Sequence, residues 1–143
     1  MAELMDYLTQ AVERRASDLF FVAGGSASAK VEGQIMPLDD ERLLPPKTEE
    51  LLRAIYGLAG RDMDGFLARG DDVFSFSVRG VARFRVNAYR QRGSMAAVVR
   101  VVAFEIPDFQ ALHIPSQVMD LAGLTYGMVL VSGTAGSGKS TTQ

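Results

Sequence analysis

The carboxy-terminal stretch Gly133-Thr134-Ala135-Gly136-Ser137-Gly138-Lys139-Ser140 fits the phosphate-loop pattern G-x-x-x-x-G-K-[ST]. The spacing has a physical cause. Glycines at 133, 136 and 138 let the backbone turn tightly, so that successive N–H groups converge on one anion. Lys139 adds a point charge for β- and γ-phosphates, and the Ser140 hydroxyl is of the type that ligates Mg²⁺. With Thr141 these residues make a nucleotide-binding set for ATP and Mg²⁺. A helix beginning near Lys139 would aim the positive end of its dipole at the same phosphates. The apolar run Met128 to Val131 is expected to be the strand that enters the loop. A flexible Gly-Ser linker would need neither that run nor a Lys-Ser pair.

A second group suits related chemistry. Arg79, Arg83, Arg85, Arg90, Arg92 and Arg100 fall in one stretch that contains no Asp or Glu. Alternation places Arg83 and Arg85 on the same strand face. A guanidinium is a fork of donors matched to phosphate. Three uses are open: a solvated sheet face, a nucleic-acid contact, or an arginine delivered to a nucleotide held by the phosphate loop. The acidic remainder of the chain and the lack of an aromatic stacking platform weigh against nucleic acid. His113 stands alone between Leu112 and Ile114 and reads as packing. Asp39-Asp40 and Asp71-Asp72 read as solvated or capping pairs.

The chain has 143 residues, enough for one core of ordinary size, and a net charge of −2. It has no cysteine, which excludes disulfides and thiolate metal sites and leans towards a cytosolic setting. The acidic start Met-Ala-Glu-Leu-Met-Asp lacks the basic-then-apolar order of a signal peptide. No apolar run approaches the roughly 18 residues of a membrane span. Membrane association would therefore go through a partner.

The elements that must position these residues follow from periodicity. Residues 2–15 predict a helix with Leu4, Leu8, Ala11 and Val12 on one face. Leu19 to Ala23 predicts a strand, Gly24-Gly25-Ser26 a turn, and Lys30 to Met36 a second strand broken by Gly33. Pro45 and Pro46 precede a helix with Thr48 as its expected N-cap and Leu51, Leu52 and Ile55 buried. A short helix over Asp62 to Ala68 should end at Gly70. Val73 to Val78, Val81 to Tyr89 and Met95 to Phe104 predict three strands joined by hairpin turns at Arg79-Gly80 and Arg92-Gly93. Connections this short are antiparallel, so the first hundred residues predict an α+β domain. The prolines within Glu105 to Pro115 mark a boundary, and Ser116 to Ala122 predicts a short helix with Ser116 as N-cap.

The chain resembles a known family. Ala16-Ser17-Asp18-Leu19 followed by Lys30-Val31-Glu32-Gly33 resembles the opening of the secretion and type IV pilus ATPases. Phe74-Ser75-Phe76, then Gly80-Val-Ala-Arg83-Phe-Arg85-Val-Asn87-Ala-Tyr89, then Gly127 to Gly133, resemble the retraction branch, the PilT-type twitching-motility ATPases. One position departs: Phe20 stands where the family often has His. The resemblance implies a PAS-like domain over 1–104, a linker over 105–115, and the start of a RecA-like ATPase domain over 116–143. It implies a cytoplasmic homo-hexamer that hydrolyses ATP at the inner face of the cytoplasmic membrane. That ring would act on pili through an inner-membrane platform protein, with no nucleic acid and no membrane insertion of its own. It also implies that arginines approach the nucleotide, at positions matching Arg83, Arg85 and Arg100. Pilus-extension and type II secretion ATPases, and a non-catalytic PAS-like module, remain alternatives. The remaining ATPase motifs are expected beyond Gln143, so the chain alone should be inactive. Met128 to Ser132, apolar on both faces, is expected to pair with a sheet edge of its own domain or of another copy.

Overall fold

The computed structural model describes residues 2–102 and 108–143. Contacts divide the chain into two units, Met1–Phe104 and Glu105–Gln143. Ala103 and Phe104 of the strand expected over Met95 to Phe104, and 105–107 of the expected linker, lie outside the described residues.

The first unit opens with α1 (Ala2–Glu13), whose apolar positions at helical spacing bury Leu4, Tyr7, Leu8 and Ala11. Then come β1 (Asp18–Phe21), β2 (Ser26–Val31) and β3 (Gln34–Arg42), helices α2 (Pro45–Ala59) and α3 (Asp64–Arg69), and β4 (Asp71–Val78), β5 (Ala82–Gln91) and β6 (Ser94–Val102). The six strands form one antiparallel sheet in the order β3-β2-β1-β6-β5-β4. The unit is α+β, as the alternation predicts.

Period two decides which face is covered. On β5, Ala82, Phe84, Val86 and Ala88 are buried and Arg83, Arg85 and Asn87 are exposed. The buried face packs with Leu19 and Phe21 of β1, Val99 of β6, Leu52 and Ile55 of α2, and Phe66 of α3. Phe76 stacks on Phe84 at 5.3 Å between centroids, and Tyr56 lies 4.6 Å from Phe74.

Several expectations change. Lys30 to Met36 is a hairpin rather than one broken strand. Glu32 and Gly33 both take positive φ, 50° and 80°, and Val31 pairs Gln34. That is the backbone a two-residue turn requires, and a charged residue in it hid the signal. The helix after the prolines begins at Pro45 with Leu44 as N-cap. A proline at N1 forgoes only an N–H that has no helical partner. Thr48 is instead fully buried one turn inside, its hydroxyl donating to the Pro45 carbonyl at 3.0 Å.

The aspartate pairs are not simply solvated. Asp72 is 8% exposed and accepts from the Tyr56 hydroxyl at 2.9 Å and from Arg61 Nε and Nη2 at 2.9 and 3.0 Å. Asp39 accepts from the Tyr7 hydroxyl. His113 is exposed at φ 57° in a turn, rather than packed.

In the second unit α4 (Ser116–Asp120) has Pro115 as its N-cap, not Ser116, and passes into a 3₁₀ turn over Leu121–Gly123. Residues 128–132 form no ladder among the described residues, so the expected strand and its pairing within the chain are absent. An apolar run becomes a strand only where a neighbour completes its hydrogen bonds. Met128 and Leu130 are each 82% exposed. The chain closes with α5 (Lys139–Thr142). No helix among the described residues is long and apolar enough to cross a membrane.

Candidate functional site

Two groups of residues carry the chemistry, one in each unit. The phosphate loop turns at Gly136 and Gly138, with φ of 78° and 94°, values that glycine adopts without steric cost. Gly138 is also the residue from which α5 starts, at Lys139. The Ser137 hydroxyl donates to the Thr134 carbonyl at 2.6 Å, and Lys139 Nζ donates to the same oxygen at 3.1 Å. Ser137 N–H also donates to it, at 3.2 Å. The lysine is thus folded back over the loop. Gly133 has no spare room: a Cβ there would lie 2.5 Å from Ser137 Oγ.

The loop fits a polyphosphate. It offers turned backbone donors, a lysine whose one side-chain partner among the described residues is a neutral carbonyl, and the Ser140 and Thr141 hydroxyls at the first turn of a helix. No group of three or more His, Cys, Asp or Glu side chains could hold a metal among the described residues.

The second group lies on the uncovered face of the sheet. Arg85 and Arg100 are directly opposed on β5 and β6, and Arg100 also faces Asp18 on β1. Arg83 is two residues from Arg85 on the same face, opposite Val102. Arg100 Nε donates to Asp18 Oδ1 at 3.3 Å, and the Ser17 hydroxyl donates to Asp18 Oδ2 at 2.8 Å. Arg83 and Arg85 make no ion pair among the described residues. A hollow of about 280 Å³ on this face is lined by Asp18, Val73, Arg85, Asn87, Val98 and Arg100. The hollow therefore gathers Arg85 and Arg100 beside the Asp18 carboxylate, and Arg85 is the guanidinium there that has no ion pair among the described residues. Sequence reading did not find the partnership of Asp18 with Arg100. No local pattern links positions 82 apart.

No family model matches the chain. Among curated proteins it is similar to the type IV pilus ATPase PilU of Pseudomonas aeruginosa, 36% identical over 130 residues, which are 91% of this chain and 34% of that protein. It is 33% identical over 145 residues to the type IV pilus retraction ATPase PilT of the same organism, covering 98% of this chain and 40% of PilT. Among solved structures it matches the pilus retraction motor PilT with bound ADP, at a TM-score of 0.78 and 39% identity, over 96% of this chain and 40% of that one. The chain thus spans less than half the length of these relatives. These relatives are type IV pilus ATPases, and the chain is similar to the amino-terminal portion of the PilT type.

Proposed function

We propose that this chain is the amino-terminal portion of an ATP-hydrolysing motor that powers type IV pilus retraction and twitching motility. The observation that carries the reading is a phosphate loop at 133–140 in a chain 39% identical, over 96% of its length, to a retraction motor solved with ADP. Residues 1–104 act as a PAS-like domain, 105–115 as a linker, and 116–143 as the start of a RecA-like domain.

In this reading the N–H groups of Gly133 to Ser140 cradle the phosphates, with Thr134, Ala135, Gly136, Ser137 and Gly138 shaping the loop. Lys139 leaves the Thr134 carbonyl for the β- and γ-phosphates, and Thr141 continues the binding surface. Mg²⁺, when bound beside Ser140, neutralises charge on the phosphates. Arg83, Arg85 and Arg100 supply the positive charge that stabilises a transferring phosphoryl group. The complete protein works as a cytoplasmic homo-hexamer at the inner face of the cytoplasmic membrane. It engages an inner-membrane platform protein, without nucleic acid and without inserting in the bilayer itself.

Turnover in the complete protein tests this. Lys139→Ala should abolish ATP hydrolysis. Arg83→Ala, Arg85→Ala and Arg100→Ala should leave the fold intact, and at least one should cut turnover by about tenfold or more, as loss of a phosphate-directed arginine does. Retained turnover in Lys139→Ala overturns the phosphate-loop reading. Parental turnover in all three arginine variants reduces that face to a solvated surface.

A further inference from the structure

The two edges of the six-stranded sheet are built differently. The β3 edge carries the usual guards against strand addition. Pro37 interrupts its donors, Asp39, Asp40 and Glu41 crowd one end, and its register with β2 shifts between Ser26 and Ser28. The β4 edge has no proline and no register shift, and its acidic residues are confined to Asp71 and Asp72 at its start. Its pairing with β5 runs unbroken from Asp71 to Val78, and Val73 to Val78 contain no charge and no proline.

The outward groups of β4 can be identified. Gly70 accepts from Arg90 N–H at 3.0 Å at one end of the strand, and Val78 accepts from Val81 N–H at 3.0 Å at the other. Antiparallel alternation then turns the backbone groups of the even-numbered residues towards β5. Those of Asp71, Val73, Ser75 and Ser77 turn outward, and no backbone hydrogen bond beyond the β5 ladder is made by them among the described residues. Val73 is 54% exposed.

We propose that the β4 edge is a pairing surface for a second copy of this chain, antiparallel about Ser75. This register sets outward group against outward group: Ser75 against Ser75, Val73 against Ser77, and Asp71 against Arg79. Centring the pair on Phe74 would set Asp71 against Ser77, and centring it on Phe76 would set Arg79 against Val73. Centring on Val73 or Ser77 would leave Asp71 or Arg79 facing serine. Only the Ser75 register places Asp71 opposite Arg79, and symmetry makes that ion pair twice. Both side chains are exposed, and neither has an ion-pair partner among the described residues. On the helix-covered face the register sets Phe74 beside Phe76 of the partner copy, extending the aromatic row. The proposal is independent of nucleotide chemistry.

The surface is one strand long, so the dimer is weak, with a Kd on the order of 100 µM. Sedimentation velocity of the 143-residue chain across that range should show a monomer–dimer equilibrium. Arg79→Glu sets like charges opposite each other at both ends and should weaken the dimer by about tenfold. Asp71→Arg should do the same. The double variant Asp71→Arg/Arg79→Glu restores opposite charges and should recover the parental Kd. Ile35→Lys on the β3 edge should change nothing. A chain that stays monomeric to about 1 mM overturns the proposal. So does a dimer indifferent to the single charge reversals, one not recovered in the double variant, or one lost in Ile35→Lys.

Discussion

Replacing Asp72 by Asn tests the polar core of the first unit. Asp72 holds together the end of α2 through Tyr56, the following loop through Arg61, and α3 through Arg69 at 3.7 Å. An asparagine carbonyl can keep one of these donors but not the paired contact to Arg61, and its charge is gone. A hydrogen bond to a charged group contributes about 1.5–3 kcal/mol, and an exposed ion pair about 0–1. Here the carboxylate side chain is 6% exposed and the guanidinium side chain 45% exposed, so the arginine stays largely hydrated. The loss should lie between the two limits, at about 2 kcal/mol. For a unit of this size that lowers the melting temperature by about 10 °C. Far-ultraviolet circular dichroism suits the measurement, since the chain has no tryptophan.

The pH dependence gives a second check on the same substitution. The Arg61 guanidinium, helped by the Tyr56 hydroxyl, holds the Asp72 carboxyl below the usual carboxylate range, against an opposing effect of burial second in size to that of Arg61. A carboxyl lowered on folding stabilises the fold above its unfolded value of about 3.9. That stability is lost as the pH falls through the lower native value. The gap between parent and Asp72→Asn should therefore be full at neutral pH and shrink below about pH 4. A variant melting within about 1 °C of the parent at neutral pH, or a gap that persists in acid, would refute the reasoning.

Phe84 is fully buried against Phe76, so Phe84→Ala should cost about 3–5 kcal/mol and unfold much of the first unit, read as loss of the cooperative melt. Gly93 turns the β5–β6 hairpin at φ 81°, and Gly93→Ala should cost about 1 kcal/mol in urea unfolding. In Gly133→Ala the added carbon should break the hydrogen bond from Ser137 Oγ to Thr134, leaving the melt of the first unit unchanged. The displaced amide resonances of residues 134–139 would report it. The isolated chain should show no calorimetric binding of ATP–Mg²⁺ at micromolar concentration, because the four-residue α5 is too short to hold phosphates by itself. Micromolar binding lost on Lys139→Ala would refute that.

The strands of the first unit were legible because alternation is strict where one face is covered. Phe74, Phe76, Phe84 and Val86 fall on the buried side as their spacing requires. The same alternation, continued two residues back from Phe74, reaches Asp72 and marks it as buried. The acidic pair at the strand's start concealed that signal. The Glu32-Gly33 turn was missed because Glu is an uncommon residue at positive φ. Thr48 was misplaced because a hydroxyl that bonds backward inside a first turn looks like a cap in sequence. The phosphate loop was legible because its glycines and lysine act through local backbone geometry. The strand before it was not, because a strand is defined by its neighbours. The opposition of Arg85 to Arg100 needed strand register, which the β5–β6 hairpin turn supplied. The bond from Arg100 to Asp18 needed the long-range pairing of β1 with β6, which no turn dictates.

That pairing also orders the assembly of the sheet. Strands β2 and β3 form one local hairpin, and β4, β5 and β6 a local meander, each closing over a short turn. β1 reaches β2 locally, but its other side waits for β6, and the Asp18–Arg100 contact spans 82 positions. The entropy of closing that loop falls on a single strand pair, so docking of the β1–β6 seam should be the slow step in refolding kinetics. During synthesis from the amino terminus, Leu19 and Phe21 emerge long before Val99 and Ala97 arrive to cover them. The exposed interval ends only when β6 docks, and the carboxylate and guanidinium then join the two halves across the seam.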